Sequence, residues 1–352
     1  MDRGLLVTIH QAVLLVGGRG TRMWPLTAKI PKGLLPVAGV LFLDLQIRQL
    51  AAAGIDEVFL AVGRSQLDEW ERFAADREGV RLVVEDEPLD TAGPVRAALD
   101  GLDDRFLVLN GDVVLEADLT AYLTAVRPEV KATLGLVEVE DPSAYGVVVL
   151  DDSGMVVRFV EKPPADEAPA QTVNAGMYVM TRSALADYGE GPLSFERVVF
   201  PGLAAEGSLQ GVVIEGWWLD IGTPDLFLDC TGAVLSGATA LHRPASRHLI
   251  EGECIGETTG GWSWIAAGAR VESGAVVEES VVLPGATIGS KAIVRRAIVG
   301  WDATVGDHSL VTGATIIGAG AWIGPNTELN HGMRIAPGAR LESGAVTFSP
   351  PE

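Results

Sequence analysis

Cysteine is nearly absent from this chain: Cys230 and Cys254 are the two in 352 residues, and they share no C-x-x-C spacing. That count supports neither a disulfide framework nor a thiolate metal site, and a reducing compartment, the cytoplasm, is expected. No apolar run reaches the roughly 18 residues of a membrane helix. The opening stretch MDRGLLVTIHQAVLLVGG is broken by His10 and Gln11 and precedes no A-x-A site, so it does not read as a secretory leader. Cations are in the minority, 26 Lys and Arg against 47 Asp and Glu, giving a formal charge of -21. Such a surface repels polyanions and argues against nucleic acid as a partner. One absence runs the other way. Between Asp2 and Asp44 there is no acidic residue, while Arg19, Arg22, Lys29 and Lys32 surround Gly17, Gly18 and Gly20. A local cationic loop in an acidic protein suits a small phosphorylated ligand.

What the chain does have is apolar material for a core, 48% hydrophobic against 21% charged residues, and length for two domains at about 150 residues each. QAVLLV (11–16) is a short apolar run ending in glycines, the pattern of a buried strand entering a loop. LFLDLQIRQLAAAGI (41–55) carries apolar residues at helical spacing and stops at Gly54. EVFLAVG (57–63), a polar helix through Trp70 and Phe73, RLVVEDE (81–87) and RFLVLNGD (105–112) continue the alternation. It predicts a mostly parallel sheet with helices on both faces and a ligand at the carboxyl edge, where Lys32 and Asp112 are expected. From about residue 130 strands predominate, and residues 236–262 lack sustained periodicity and read as a connector.

The last ninety or so residues follow a six-residue period. Branched apolar residues recur at Val305, Val311, Ile317, Ile323, Leu329, Ile335 and Leu341, often followed by a small residue. An earlier set, Ile265, Val271, Val277 and Leu283, precedes them, with a one-residue slip before Ile288. This hexapeptide repeat predicts a left-handed parallel β-helix of about four coils. His308 and His331 are expected as polar coil-corner positions or as surface groups, and Trp262 and Trp264 are expected to cap the open end.

The glycine loop is neither of two common phosphate motifs. Met23 occupies the place of the third glycine of a dinucleotide fingerprint, and no acidic residue ends the second strand. No G-K-[ST] follows, so it is not a P-loop. Backbone N–H groups of the loop, with Arg22 and Lys32 as fixed charges, would hold a triphosphate.

GGRGTRMWPLT (17–27) with PKGLLPV (31–37) resembles the signature of the sugar-1-phosphate nucleotidyltransferases, or nucleotide-sugar pyrophosphorylases. EPLDTAGP (87–94), NGDVV (110–114), YGVV (145–148), EKP (161–163), NAG (174–176) and WLDIGTP (218–224) follow in family order, and the plan is most similar to the mannose-1-phosphate guanylyltransferases. The resemblance implies a Rossmann-like nucleotidyltransferase domain over residues 1–235, the connector 236–262 and a β-helix domain over 263–352. It implies the reaction sugar 1-phosphate plus NTP to NDP-sugar plus pyrophosphate, with GTP as the expected donor and Mg²⁺ as cofactor. By position, Arg22 and Lys32 contact the triphosphate, and Asp112 and Asp220 hold Mg²⁺, a hard cation suited to paired carboxylates. Leu15, Gly17, Gly18, Gly20, Thr21, Glu85, Asp90, Thr91, Ala92, Asn110 and Gly111 surround the nucleotide. Lys162 meets the sugar phosphate, Glu161 and Asn174 the sugar hydroxyls, and Gly146 and Gly176 allow close backbone approach. A homo-oligomer is expected from the β-helix.

Two positions depart from the pattern: Gly33 replaces the usual proline after the signature lysine, and Asp90 the usual glycine of EPLGTAG. They motivate the competing reading of a catalytically weak regulatory homologue that binds nucleotide-sugar, whereas a thymidylyl- or adenylyltransferase is the alternative within the family. Transfer of an acyl group by the β-helix ranks last, because no histidine stands in a long loop there. At Glu85, where thymidylyltransferase relatives carry glutamine, an acceptor-only carboxylate matches the adjacent N1–H and N2–H₂ donors of guanine.

Overall fold

The computed structural model describes residues 9–28, 30–240 and 242–346; Lys29 of the cationic loop lies outside them. Strand Gln11–Leu15 pairs in parallel with Glu57–Gly63 on one side and with Arg105–Asn110 on the other, and Glu57–Gly63 pairs in parallel with Val80–Glu85. Leu14, Leu60, Leu107 and Val108 are fully buried. That is why these strands read as unbroken apolar runs: each is covered on both faces. The strand order reverses at Gln11–Leu15, so the crevice of an open parallel sheet falls beside Leu15 and Asn110. Beyond Arg105–Asn110 the sheet turns antiparallel through the long strand Thr172–Thr181, which also carries Ala132–Glu138 and touches Gly146–Leu150. A register shift between Asn174 and Tyr178 bends it there. Beneath lies an aromatic cluster, Tyr178, Phe195 and Phe200, with centroids 5.0 to 5.4 Å apart. Each such pair adds about 0.5–1.5 kcal/mol to the burial of its area.

The chain forms two compact units. One comprises residues up to Gly18 together with Gln46–Trp218; the other comprises Arg19–Leu45 together with Leu219 onward. The cationic loop thus groups with the β-helix segment, a division that cuts across the sequence boundary at 235. Within the second unit, a side chain at Gly39 would meet Leu249 and Glu251 at 3.6 to 3.8 Å, so the hairpin Pro36–Val37/Val40–Leu41 packs on residues more than two hundred positions away.

The β-helix has three parallel sheets of short strands, two of six strands and one of five. Its inward residues form a closed column in which Ile265, Val271, Val277, Ile288, Val294, Val305, Val311, Ile317, Ile323 and Leu329 are fully buried. Three sequence expectations shift. Strands His248–Ile250, Glu253–Cys254 and Glu257–Thr259 make a first coil inside the stretch read as connector. The inward residue of the next coil is Val282, aligned with Ile265 and Val299, and Leu283 lies at the corner beyond it. The coil is shortened at Ser263 and Ser280, whose hydroxyls donate to the carbonyls of Val277 (3.0 Å) and Val294 (3.4 Å). Trp262 and Trp264 do not cap an end. Trp264 lies between two coils and donates to Glu251 at 3.0 Å, and Trp262 lies on Gly232 of helix Pro224–Ser236. His308 and His331 do sit at left-handed corners, with φ of 57° and 52°.

One outer face of the β-helix is also buried. Trp264, Val281, Ile298 and Ile316 point outward between inward neighbours, yet none is more than 2% exposed. Helix Pro224–Ser236, itself apolar on its buried side, is tied to this region by Trp262 on Gly232 and by Arg296, which bridges Asp225 (3.1 Å) and Asp229 (2.9 Å). Among the described residues no helix is long and apolar enough to cross a membrane.

Candidate active site

In the first unit, the carboxyl edge of the sheet gathers most of the expected nucleotide residues. Leu15 and Asn110 pair as strand ends, and Gly111 donates its N–H to the Leu15 carbonyl at 3.0 Å. A side chain at Gly111 would come within 2.4 Å of Val16 and 2.7 Å of that carbonyl, so only glycine lets the Asn110–Val113 turn lie on the first strand. Gly18 is exposed with open space over it. Gly17 faces Glu85: a Cβ there would lie 2.6 Å from Glu85 Oε1. Glu85 ends the strand opposite Gly63, is buried, and accepts the Leu89 N–H at 3.0 Å through Oε2. Burial raises its pKa above the usual carboxylate range, opposed in part by that hydrogen bond.

The Asp90–Ala92 turn is committed elsewhere through its side chains. Asp90 has φ 63°, so the aspartate adopts the left-handed backbone that glycine takes more readily. Its carboxylate accepts the Thr91 N–H at 2.8 Å and pairs with Arg197. Thr91 Oγ1 donates to Glu196 at 2.8 Å and accepts the Phe195 N–H at 2.9 Å, while the buried Ala92 donates its N–H to the Leu193 carbonyl at 2.8 Å. Asp90 therefore reaches the 194–199 segment through Arg197.

Asn110 continues into a second cluster. Its Oδ1 accepts the Tyr178 hydroxyl at 2.9 Å, Asn174 Nδ2 donates to that hydroxyl at 3.4 Å, and Asn174 Oδ1 accepts the Gly176 N–H at 3.0 Å. Full burial raises the Tyr178 pKa, keeping the hydroxyl a donor. Gly176 has φ 75° and lies so close to Asn110 Nδ2 that a Cβ would stand 2.9 Å away. At the paired ends of two further strands Glu161 faces Gly146, whose Cβ would lie 3.1 Å from Glu161 Oε2. Lys162, with φ 46°, donates its N–H to the Tyr145 carbonyl and pairs with Glu161 at 3.0 Å. That pair is too exposed to contribute more than about 1 kcal/mol to stability, so its charges remain available to a ligand. Trp218 meets Tyr145 edge to face at 5.1 Å and donates to the Ala175 carbonyl at 3.0 Å.

In the second unit, Gly20 (φ 57°) opens the Thr21–Met23 turn and accepts from Thr27 Oγ1 at 2.8 Å. A Cβ on it would meet Lys32 at 3.2 Å, which puts the signature lysine directly under the glycine loop. Lys32 starts a second turn, closed by Leu34 N–H to Pro31 and Leu35 N–H to Lys32, and Gly33 is buried inside it. Arg22 and Asp220 converge over Gly222: a Cβ there would stand 2.7 Å from Arg22 Nη2 and 2.8 Å from Asp220 Oδ1.

The residues fit Mg²⁺ in kind. Asp112 and Asp220 offer the hard oxygen donors that Mg²⁺ takes, and Asp220 Oδ1 is buried against Gly222, too close for a Cβ there. Among the described residues no group of three or more His, Cys, Asp or Glu side chains could hold a metal by itself.

Sequence reasoning missed Tyr145, Tyr178 and Gln46. Tyr145 heads the quoted YGVV motif, and Tyr178 follows NAG by two residues, so a search of motif flanks would have found both. Gln46, which donates to the Asn110 and Val113 carbonyls, lies within a helical segment that gave no local signal of those contacts.

Residues 11–237 match the family described as Nucleotidyl transferase, and residues 255–321 match the GMPPB C-terminal domain. A mannose-1-phosphate guanylyltransferase of Mycobacterium tuberculosis is 35% identical over 96% of this chain and 83% of its own length. The mannose-1-phosphate guanylyltransferase catalytic subunit beta of Danio rerio is 40% identical over 62% of each chain. HddC from Yersinia pseudotuberculosis, solved also in complex with GMP-PN, superimposes with TM-score 0.55 at 25% identity, covering 63% of this chain and 98% of its own. With its first two thirds matched by one family and nearly its full length by a relative of 35% identity, the chain belongs to the nucleotidyl transferase family as a homologue of the mannose-1-phosphate guanylyltransferases.

Proposed function

We propose that the protein transfers GMP from GTP to mannose 1-phosphate, or to a closely related sugar or cyclitol phosphate, giving an NDP-sugar and pyrophosphate. The observation that carries this reading is the relation to a guanylyltransferase across catalytic region and β-helix together. Glu85 supports the base: its carboxylate ends a strand beside Gly17, where a purine edge could approach without a side chain in the way. The matched spans, 11–237 and 255–321, support a catalytic module followed by a β-helix module whose first coil opens at His248–Ile250.

An oxygen of the sugar phosphate attacks the α-phosphorus of GTP, the new P–O bond forms, and the bond to the β-phosphate oxygen breaks to release pyrophosphate. The protein positions and neutralises. Gly17, Gly18 and Gly20 let backbone N–H groups approach the triphosphate, and Arg22 and Lys32 balance its charge, Lys32 at the α-phosphate. Asp112 and Asp220 would hold Mg²⁺, which supplies charge neutralisation between the phosphates. Lys162 takes the acceptor phosphate, and Glu161 and Asn174 take sugar hydroxyls. The two departures do not remove this capacity: the backbone at Asp90 already adopts the required left-handed φ, and Gly33 leaves the turn at Lys32 closed. The protein acts in the cytoplasm as a homo-oligomer in this reading. A matrix of GTP, ATP, dTTP, UTP and CTP against several sugar 1-phosphates, read by pyrophosphate release, tests it. Release with GTP and mannose 1-phosphate is expected; release from no combination supports the regulatory reading.

A further inference from the structure

We propose that Gln46 is a positioning residue that sets the turn carrying Asp112. The inference rests on the reading of Asp112 as a metal ligand. Gln46 lies on helix Phe42–Ala52 and is 4% exposed. Its Nε2 donates to the Asn110 carbonyl at 3.0 Å and to the Val113 carbonyl at 2.9 Å, using both N–H groups of the amide. Those carbonyls bracket Gly111 and Asp112, one at the end of an incoming strand and the other at the start of the outgoing one. The Leu15 carbonyl holds the same turn from the other side through the Gly111 N–H. Asp112 therefore sits at the tip of a tight turn whose backbone is fixed on three bonds.

Packing alone does not account for an amide here. Gln46 Oε1 is buried and has no hydrogen-bond partner among the described residues. A buried, unmatched acceptor is unfavourable, and an apolar side chain of the same length would fill the space without it. What such a side chain cannot supply is the pair of donors. One turn later Gln49 donates to the Leu115 carbonyl, which lies beyond the turn and offers a matched control.

The test uses the full chain with Mn²⁺ and the non-hydrolysable α,β-methylene analogue of GTP, bound Mn²⁺ being read by electron paramagnetic resonance. Gln46→Met keeps length and volume but has no donor; Gln46→Glu keeps shape and places an acceptor against the two carbonyls. Both are expected to bind Mn²⁺ at least tenfold more weakly than the parent, with Gln49→Met within twofold of it and Asp112→Asn as weak as the Gln46 variants. In turnover assays the half-saturating Mg²⁺ concentration rises while the KM for sugar phosphate holds. Parental Mn²⁺ affinity in a folded Gln46→Met or Gln46→Glu protein overturns the proposal, as does an equal loss in Gln49→Met. If neither Gln46 variant folds, the residue is structural and the proposal falls. Unchanged Mn²⁺ binding in Asp112→Asn instead overturns the metal reading beneath it.

Discussion

Replacing Glu85 by glutamine separates base recognition from stability, because the two are expected to move in opposite directions. In the folded protein Glu85 Oε2 accepts the Leu89 N–H at 3.0 Å, and Oε1 faces Gly17. The Leu89 donor fixes how a glutamine amide settles: its oxygen must take the Leu89 side, so its NH₂ points to the Gly17 side. A guanine edge arriving there with N1–H and N2–H₂ then meets a donor instead of an acceptor. The change removes a charge-assisted pair and leaves donors opposed, about 2–3 kcal/mol, or roughly 30- to 150-fold in kcat/KM for GTP. The same NH₂ can donate to the O4 of uracil or thymine, so UTP and dTTP should gain. Stability follows the other sign. Burial raises the folded-state pKa of Glu85 above its unfolded value, so its favourable contribution is complete below the ordinary glutamate range and is lost as pH rises through the folded pKa. Once ionised, the buried carboxylate carries a desolvation cost that glutamine avoids, so the variant's Tm should equal or exceed the parent's at the upper end of the pH range, with the difference closing as the pH is lowered. Pyrophosphate release with four nucleotides and thermal melts from pH 4 to 8 check both halves. GTP use within threefold of the parent's, or a parent that uses dTTP or ATP as well as GTP, would refute the base assignment.

Four other outcomes are expected. Asp112→Asn should lower turnover about 100-fold or more with an unchanged melting temperature, since it removes charge and keeps shape; steady-state kinetics with a melt beside them decide. Lys162→Ala should raise the KM for the sugar phosphate and leave that for GTP within about twofold, because one charge-assisted contact of about 1.5–3 kcal/mol is lost on the acceptor side. Asp90→Gly should change stability by less than about 1 kcal/mol, since relief of the left-handed backbone offsets the lost exposed pair to Arg197; chemical denaturation measures this, and the order of nucleotide preference should not change. Deleting residues 263–352 removes the Arg296 bridge to Asp225 and Asp229 and every strand that pairs with the first coil, so the truncated chain should aggregate or melt at least about 10 °C lower, as light scattering and melting would record.

The domain boundary expected at residue 235 falls inside helix Pro224–Ser236, which is tied to Trp262 and Arg296 beyond it. The outward row Trp264, Val281, Ile298 and Ile316, alternate to the inward row that the six-residue period detects, is buried as well. A periodicity search finds the column that repeats and passes over residues exposed in an isolated β-helix. The first coil escaped for a related reason. Ile250, Cys254 and Thr258 occupy the aligned positions at a four-residue step, with corners too short to register as hexapeptides. The carboxyl edge was legible because glycines and strand-end polar residues announce themselves locally: Gly17, Gly111 and Gly176 each stand where a Cβ would strike a neighbour. Gln46 was not, because a glutamine on an amphipathic helix looks the same whether it faces water or two carbonyls across 64 and 67 residues of sequence.

The contact between Gly39 and Leu249 has a consequence for the order in which the protein matures on the ribosome. The glycine loop and Lys32 leave the exit tunnel early, but the segment that holds residues 19–45 is made last. At a synthesis rate of about 5–20 residues per second, roughly 10–40 s pass between the two. By the end of that interval the strands around Leu15 and Asn110 have their partners, whereas the hairpin at Gly39 still lacks Leu249 and Glu251. A nascent chain stalled before Leu249 therefore holds an assembled sheet while the hairpin that carries Gly39 waits for its own unit, which is completed only as the β-helix begins to wind.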